Sequence, residues 1–249
     1  MLAAKDISAV KDGMRNRMDM AIEALKEYEV STHKIMERED KIITDKKGNF
    51  VRFDPVWKLP IPYQVYINEI ALVFLYGRPV KWSQQSKGTD KAFQKFQEVL
   101  EHTHFDSKLR QCKRIAGSET ESAMLFRVFR DENNAPDVQI RVLAKSKGDE
   151  IYVRWDQYEN LISVAWGYYV KESENNTVYH FDIYTPKIIY RCAKKSLGWE
   201  VIEEPNFIGK IPIILFQQDK EWKGVEPLIH REAMGGVLFC VVILVIDGQ

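Results

Sequence analysis

AMLFRVFR at 123–130, VQIRVLA at 138–144, IYVRW at 151–155, LISVAWGYYV at 161–170, TVYHFDIY at 177–184, IIYRCA at 188–193 and WEVIE at 199–203 decide the fold of this chain. Each run is short and rich in β-branched and aromatic residues, which suit a pleated, half-buried surface. Turn-forming clusters separate them: Asp131 to Pro136, Lys147-Gly148-Asp149, Ser173 to Asn176, and Leu197-Gly198. Runs at this spacing, joined by such turns, predict antiparallel strands in hairpins. Within 161–170, Ile162, Val164, Trp166 and Tyr168 fall on one side of a strand, the alternation of a sheet core.

Working outward toward the N-terminus, the period changes. From Ser8 to about Tyr28, Val10, Met14, Met18, Ala21, Ile22 and Leu25 stand at helical spacing. Residues 29–60 are polar and irregular, with a turn at Lys47-Gly48-Asn49 and prolines at Pro55 and Pro60. Pro62 is placed to start a helix whose apolar face is Tyr63, Ile67, Ile70, Ala71 and Phe74, and Gly77-Arg78-Pro79 stops it. Thr89 can cap the next helix, with Phe93, Phe96, Val99 and Leu100 inward. Asp106 can cap another, with Leu109, Cys112, Ile115 and Ala116 inward and Gly117 at its end. Helices first and strands after predict an α+β fold, N-terminal helices followed by a mostly antiparallel β region, and not a βαβ nucleotide fold. Three segments follow: 1–60, a helix and an irregular stretch; 61–230, the α+β region; and 231–249, a tail.

Composition narrows the function. Of 249 residues, 45% are hydrophobic, too many for a disordered chain. Lys+Arg and Asp+Glu each total 36, so a broad attraction for nucleic acid is excluded. Cys112, Cys192 and Cys240 are odd in number and far apart, with no disulfide framework or metal-ligand spacing. Met1 to Arg17 lacks the apolar core of a signal peptide, so Asn175-Asn176-Thr177 carries little weight as a glycosylation acceptor. A reducing, cytoplasmic setting is the expectation. After Gly235-Gly236, Val237 to Ile246 is an unbroken apolar run, too short to span a bilayer as a helix. It reads as a buried last strand or, if exposed, as an aggregation-prone segment.

Each catalytic pattern fails on a named residue. Pro136-Asp137 followed by Asp149-Glu150 has the carboxylate pair with which one class of metal-dependent nucleases holds Mg²⁺. The lysine those enzymes place two residues after the second acid is here Tyr152, and Lys147 lies on the wrong side of the pair. Turns at strand ends explain the same residues. His102 and His104 lie near Glu98, Glu101 and Asp106, but a solvated helix end accounts for them without a metal. His230-Arg231-Glu232 lacks the second half of a zinc deaminase signature, and Gly209-Lys210 lacks the rest of a phosphate loop. Trp155 to Tyr169 could present aromatics to single-stranded nucleic acid, though a sheet core explains them better. No catalytic, metal or cofactor-binding residue is assigned.

Several segments, taken in order, resemble a known family. They are Leu75-Tyr76-Gly77-Arg78-Pro79-Val80 after an apolar helix, Phe105-Asp106 through Ala123-Met124-Leu125-Phe126-Arg127-Val128, and Arg141-Val142-Leu143. Trp155-Asp156 and Ala165-Trp166-Gly167-Tyr168-Tyr169 follow, then Ile208-Gly209-Lys210-Ile211-Pro212-Ile213-Ile214-Leu215-Phe216 and Glu221-Trp222-Lys223-Gly224-Val225-Glu226-Pro227-Leu228-Ile229. Their order over about residues 10–230 resembles the N-terminal, wing half of tailed-bacteriophage portal proteins, the head-tail connectors.

The resemblance implies a structural, non-enzymatic subunit of a homo-oligomeric ring of about a dozen copies at one capsid vertex. Double-stranded DNA would pass through its channel during packaging and ejection. Its partners would be further copies of itself, the terminase motor, head-tail adaptor proteins and capsid proteins, with no membrane and no cofactor. Its location would be the virion, and the bacterial host cytoplasm during assembly. A portal would continue past Glu226-Pro227-Leu228-Ile229-His230 into a stem helix, clip and crown. Here Glu232-Ala233-Met234-Gly235-Gly236 leads into the apolar run instead, so the expectation is a truncated or frame-shifted portal of the kind a decaying prophage carries, with 231–249 an aberrant tail. No DNA-contact residue is carried over.

Overall fold

The period-two runs become strands because alternate side chains along the central strands reach different cores. The computed structural model describes residues 6–84, 90–174, 176–218 and 227–229. Its helices are α1 (Ile7–Asp12), α2 (Met18–Tyr28), α3 (Tyr63–Tyr76), α4 (Asp90–His102) and α5 (Phe105–Glu119). Its strands are β1 (Arg15–Asn16), β2 (Lys41–Thr44), β3 (Phe50–Asp54), β4 (Glu121–Arg130), β5 (Pro136–Leu143), β6 (Glu150–Trp155) and β7 (Leu161–Ser173). They continue with β8 (Asn176–Tyr184), β9 (Ile188–Lys195), β10 (Gly198–Pro205), β11 (Ile213–Gln218) and β12 (Pro227–Ile229).

Three antiparallel sheets result. One runs β1-β6-β7-β8-β9-β10, a second β12-β11-β4-β5, and β2 pairs with β3. The arrangement is the expected α+β one, with helices first and a mostly antiparallel β region after them.

Alternation sorts side chains into three cores. Met124, Phe126, Val138, Ile140, Val142, Ile214 and Phe216 leave one face of the four-stranded sheet and meet Leu109, Cys112 and Ala116 of α5. Ala123, Leu125, Ile213 and Leu215 leave its other face and meet Ile151, Val153, Val164 and Trp166 of the six-stranded sheet. The far side of that sheet carries Tyr152, Ala165, Tyr179, Phe181 and Ile183, covered by Ile7 and Met14. The layers are therefore helix, sheet, sheet, N-terminal segment. Residues 151–153 of β6 and 163–167 of β7 are buried on both faces, so these stretches carry no charged side chain.

Six expectations are corrected. The single helix from Ser8 to Tyr28 is two helices, because Arg15 and Asn16 pair with Val153 and Tyr152 along the edge of β6. Pairing an open sheet edge outweighs helix continuation at Gly13, a weak helix former. The irregular stretch 29–60 contains the hairpin β2–β3, whose turn at Lys47-Gly48-Asn49 is where the sequence puts it. Asp45 accepts from Lys47 N and Asn49 N there, and Gly48 has φ +84°.

Asp106 is not the cap of α5, which starts at Phe105 after His104 in the left-handed region. Gly117 does not end α5 either; the helix runs to Glu119, and Thr120, at φ +66°, turns the chain straight into β4. Ile162 is exposed although Val164 and Trp166 on the same side are buried. The last correction concerns α3: Tyr63, Ile67, Ile70 and Phe74 face outward, and Asn68 and Leu72 are its buried residues. A helix apolar on nearly all sides carries no period that tells the packed stripe from the rest.

Thr89, Asn175, 219–226 and 230–249 lie outside the described residues, and with them the Thr89 cap, Cys240, the His230-Arg231-Glu232 triplet and the apolar tail. Among the described residues, no helix is long and apolar enough to cross a membrane.

Candidate functional site

The acidic candidates are held apart by the sheet that carries them. Asp137 opens β5, accepts from Val138 N at 2.7 Å and lies 3.2 Å from His102 Nε2. Asp149 sits past the other end of β5, where Ala144 N donates to it at 3.2 Å. Seven residues of extended chain separate the two ends, roughly 20 Å at the usual strand rise. Asp149 is buried and also accepts from Trp166 Nε1 at 2.8 Å and Arg141 Nη2 at 3.3 Å, while the Arg141 guanidinium lies over the Trp166 ring. These bonds spend the carboxylate on closing the β5–β6 connection.

Glu150, one residue on, points to the opposite face of the sheet. Tyr179 OH donates to its Oε2 at 2.6 Å, Tyr152 OH at 2.9 Å, and the Lys11 ammonium lies 3.4 Å away. Burial alone would raise this carboxyl; the two phenols and Lys11 more than offset it and hold the carboxyl below its ordinary range. Gly167 pairs with Glu150 in register, and a β-carbon there would overlap the Tyr179 hydroxyl. The missing side chain lets Tyr179 reach across β7 to Glu150. Lys11 closes the cluster, donating to Tyr179 OH at 2.7 Å and lying 4.4 Å from the Tyr179 ring centroid. This is how α1 is fastened to the six-stranded sheet.

A second clasp stands where α5 turns into β4. Glu121 is buried, with Gln217 Nε2 donating to it and Arg17 as the nearby cation. Burial pushes its carboxyl up to about 7, opposed only partly by Gln217 and Arg17. Arg17 Nη1 donates to Gln218 O at 2.7 Å, so one guanidinium ties the start of α2 to the end of β11.

The remaining candidates are structural in the same sense. Lys147 donates to Val142 O at 3.3 Å. Glu98 pairs with Lys95, not with His102, and His104 is the left-handed residue before α5. Trp166 is in the core, Trp155 packs against it, and Tyr168 OH donates to the buried Asp182 at 3.2 Å. Gly209, at φ +69°, belongs to a turn closed by Asn206, whose Nδ2 donates to Thr185 O and Lys210 O, each at 2.7 Å. That turn carries the chain from β10 in one sheet to β11 in the other, with Ile208 and Ile211 in different cores. The Cys112 and Cys192 thiols are both pushed up to about 12 by burial, which leaves them unreactive as nucleophiles. Among the described residues, no group of three or more His, Cys, Asp or Glu could hold a metal ion.

Lys11, Tyr179, Glu121 and Asn68 went unnoticed in the sequence. Glu150 and Tyr152 stand two apart on one strand, a hint of a shared face, but Lys11 lies 139 residues from Glu150 and leaves no local sign.

The feature that the folded core does not use is outside. Phe50, Phe53, Trp57, Tyr63, Tyr66 and Phe74, from the β2–β3 hairpin through α3, are all exposed, Trp57 at 95% and Phe74 at 85%. An open apolar groove lined by Tyr28, Val30, Met36, Pro60 and Val65 adjoins them. Such a surface suits association with another macromolecule better than chemistry on a small one.

A family model described as "Phage portal protein, SPP1 Gp6-like" matches residues 7–232. No curated protein matches the chain.

Proposed function

This chain belongs to the SPP1 Gp6-like family of phage portal proteins, and from that premise we propose that it serves as a structural subunit of a portal ring. The family is structural rather than catalytic. In this reading, copies of the chain close into a cyclic ring with head-to-tail contacts at one capsid vertex. Double-stranded DNA passes through the ring during packaging and ejection. A terminase motor, head-tail adaptors and capsid proteins are its partners, and the ring assembles in the bacterial host cytoplasm before it becomes part of the virion.

One observation carries the proposal. The match runs from the first residue of α1 past the last residue of β12, so it takes in all three sheets, the helical layer and the N-terminal clasp. The exposed apolar surface supports it, as a subunit that functions only in company needs such a face.

Light scattering of the purified full chain over a hundredfold range of concentration tests the reading, with negative-stain microscopy of the same samples. Uniform ring-shaped particles of a dozen or so copies are expected. A monomer at every concentration overturns ring formation by this chain.

A further inference from the structure

We propose that the face formed by the β2–β3 hairpin and the outer side of α3 is the docking surface for a second copy of this chain. The inference rests on the ring reading above and assigns a surface to it.

Three observations converge on this face. The first is its area. Six exposed aromatics, Phe50, Phe53, Trp57, Tyr63, Tyr66 and Phe74, leave on the order of 800 Å² of their surface in water. One partner contributes about 800 Å² to a stable protein–protein interface. Ile67, Ile70 and Val73 on the same helix add to the face.

The second is the hairpin itself. Among the described residues, β2 and β3 pair only with each other, and only Ile43 and Asp54 of the two strands escape full exposure. A lone two-stranded hairpin is marginal in water and needs a third strand or a packing surface. Phe50 and Phe53 pack on one another at 4.9 Å between centroids, which leaves both rings facing outward for a partner to cover.

The third is charge. Asp45 and Asp54 stand beside Lys46 and Arg52, so the rim is of mixed sign. A polyanion or an anionic lipid surface would be attracted by a basic rim; a protein surface, apolar at its centre and polar at its edge, suits this one. In a cyclic assembly the same face on each copy meets a different face of the next, so all copies are covered at once.

The test places a photo-crosslinking benzoylphenylalanine at Phe53 or Phe74 of the full chain, with Tyr158, exposed on a turn after β6, as the control position. Equal amounts of ¹⁵N-labelled and unlabelled protein are mixed and irradiated, and mass spectrometry separates cross-links between copies from those within one. Trp57→Ser with Phe74→Ser is measured by light scattering alongside. Both side chains are almost fully exposed, so circular dichroism of the double variant should match the parent.

Expected are mixed-isotope cross-links from positions 53 and 74 to one region of another copy, few from 158, and at least a tenfold loss of the oligomer in the double variant. An oligomer that persists unchanged in the double variant, with no cross-links between copies from 53 or 74, overturns this face while leaving the ring intact. Cross-links confined to a single copy, at any oligomeric state, show that the chain's own remaining residues cover the face and overturn the proposal. A parent that is monomeric throughout overturns the ring reading and the face together.

Discussion

The side-chain amide of Asn68 on α3 occupies the space that a β-carbon at residue 117 of α5 would need. Asn68 is buried, and its Nδ2 donates to Arg114 O at 2.8 Å and to Tyr28 OH at 3.3 Å. One side chain thus joins α2, α3 and α5, and Gly117 makes room for it. Gly117→Ala should destabilise the fold by roughly 1–3 kcal/mol, the usual cost of overpacking. Urea melts check this. In a double-mutant cycle, Asn68→Ala with Gly117→Ala should cost less than the two single changes added, because the clash is then gone.

A parallel argument applies at Gly167, where a β-carbon would overlap the Tyr179 hydroxyl and meet Glu150 Oε2 at 2.9 Å. Gly167→Ala should break the Tyr179–Glu150–Lys11 cluster and cost about 1–3 kcal/mol. Its distinguishing sign is local. Amide exchange across residues 7–16 should accelerate at least tenfold, because Lys11 fastens α1 to the sheet. Val170→Ala, on the exposed end of the same strand, should leave that exchange unchanged.

Glu121 makes stability depend on pH. Its carboxyl rises from 4.5 to about 7 in the fold. The folded state therefore holds the proton more tightly than the unfolded chain. The group's favourable contribution is complete below about pH 4.5 and is lost as pH rises through about 7, a loss on the order of 3 kcal/mol. Glu121→Gln keeps the shape without the charge. The parent's Tm should fall between pH 5 and pH 8 by several degrees more than that of the variant. Equal slopes in the two proteins would show that the carboxyl is not buried as described.

The separation of Asp137 from Asp149 and Glu150 bears on nuclease activity. Supercoiled plasmid incubated with the purified chain and Mg²⁺ should remain intact, with or without chelator. Cleavage that needs Mg²⁺ and disappears in Asp137→Ala would restore the metal-nuclease interpretation.

The amino-acid sequence alone determined the strands from β4 to β10, to within about three residues at each end, and four of the six turns between them. Alternation and turn chemistry are local: Val164 and Trp166 share a face because successive side chains on a strand point opposite ways, and Gly148 turns the chain because its φ is positive. It also determined the helices α3, α4 and α5 and the order of segments by which the family was identified. Tertiary structure alone decided the rest. Arg15 and Asn16 leave the helical pattern because the edge of β6, well over a hundred residues away, offers hydrogen bonds that a helix at Gly13 cannot match. Asp137 with Asp149-Glu150 has the spacing of a metal-binding carboxylate set, but Asp137 lies at the far end of β5, and Asp149 and Glu150, neighbours on extended chain, face opposite ways and meet separate buried partners. On α3 the apolar residues run all the way round, so only packing against α5 chose Asn68 and Leu72 for the inside and left Phe74 in water. Local pattern sets which backbone state each segment adopts; contacts between distant segments set which face is covered.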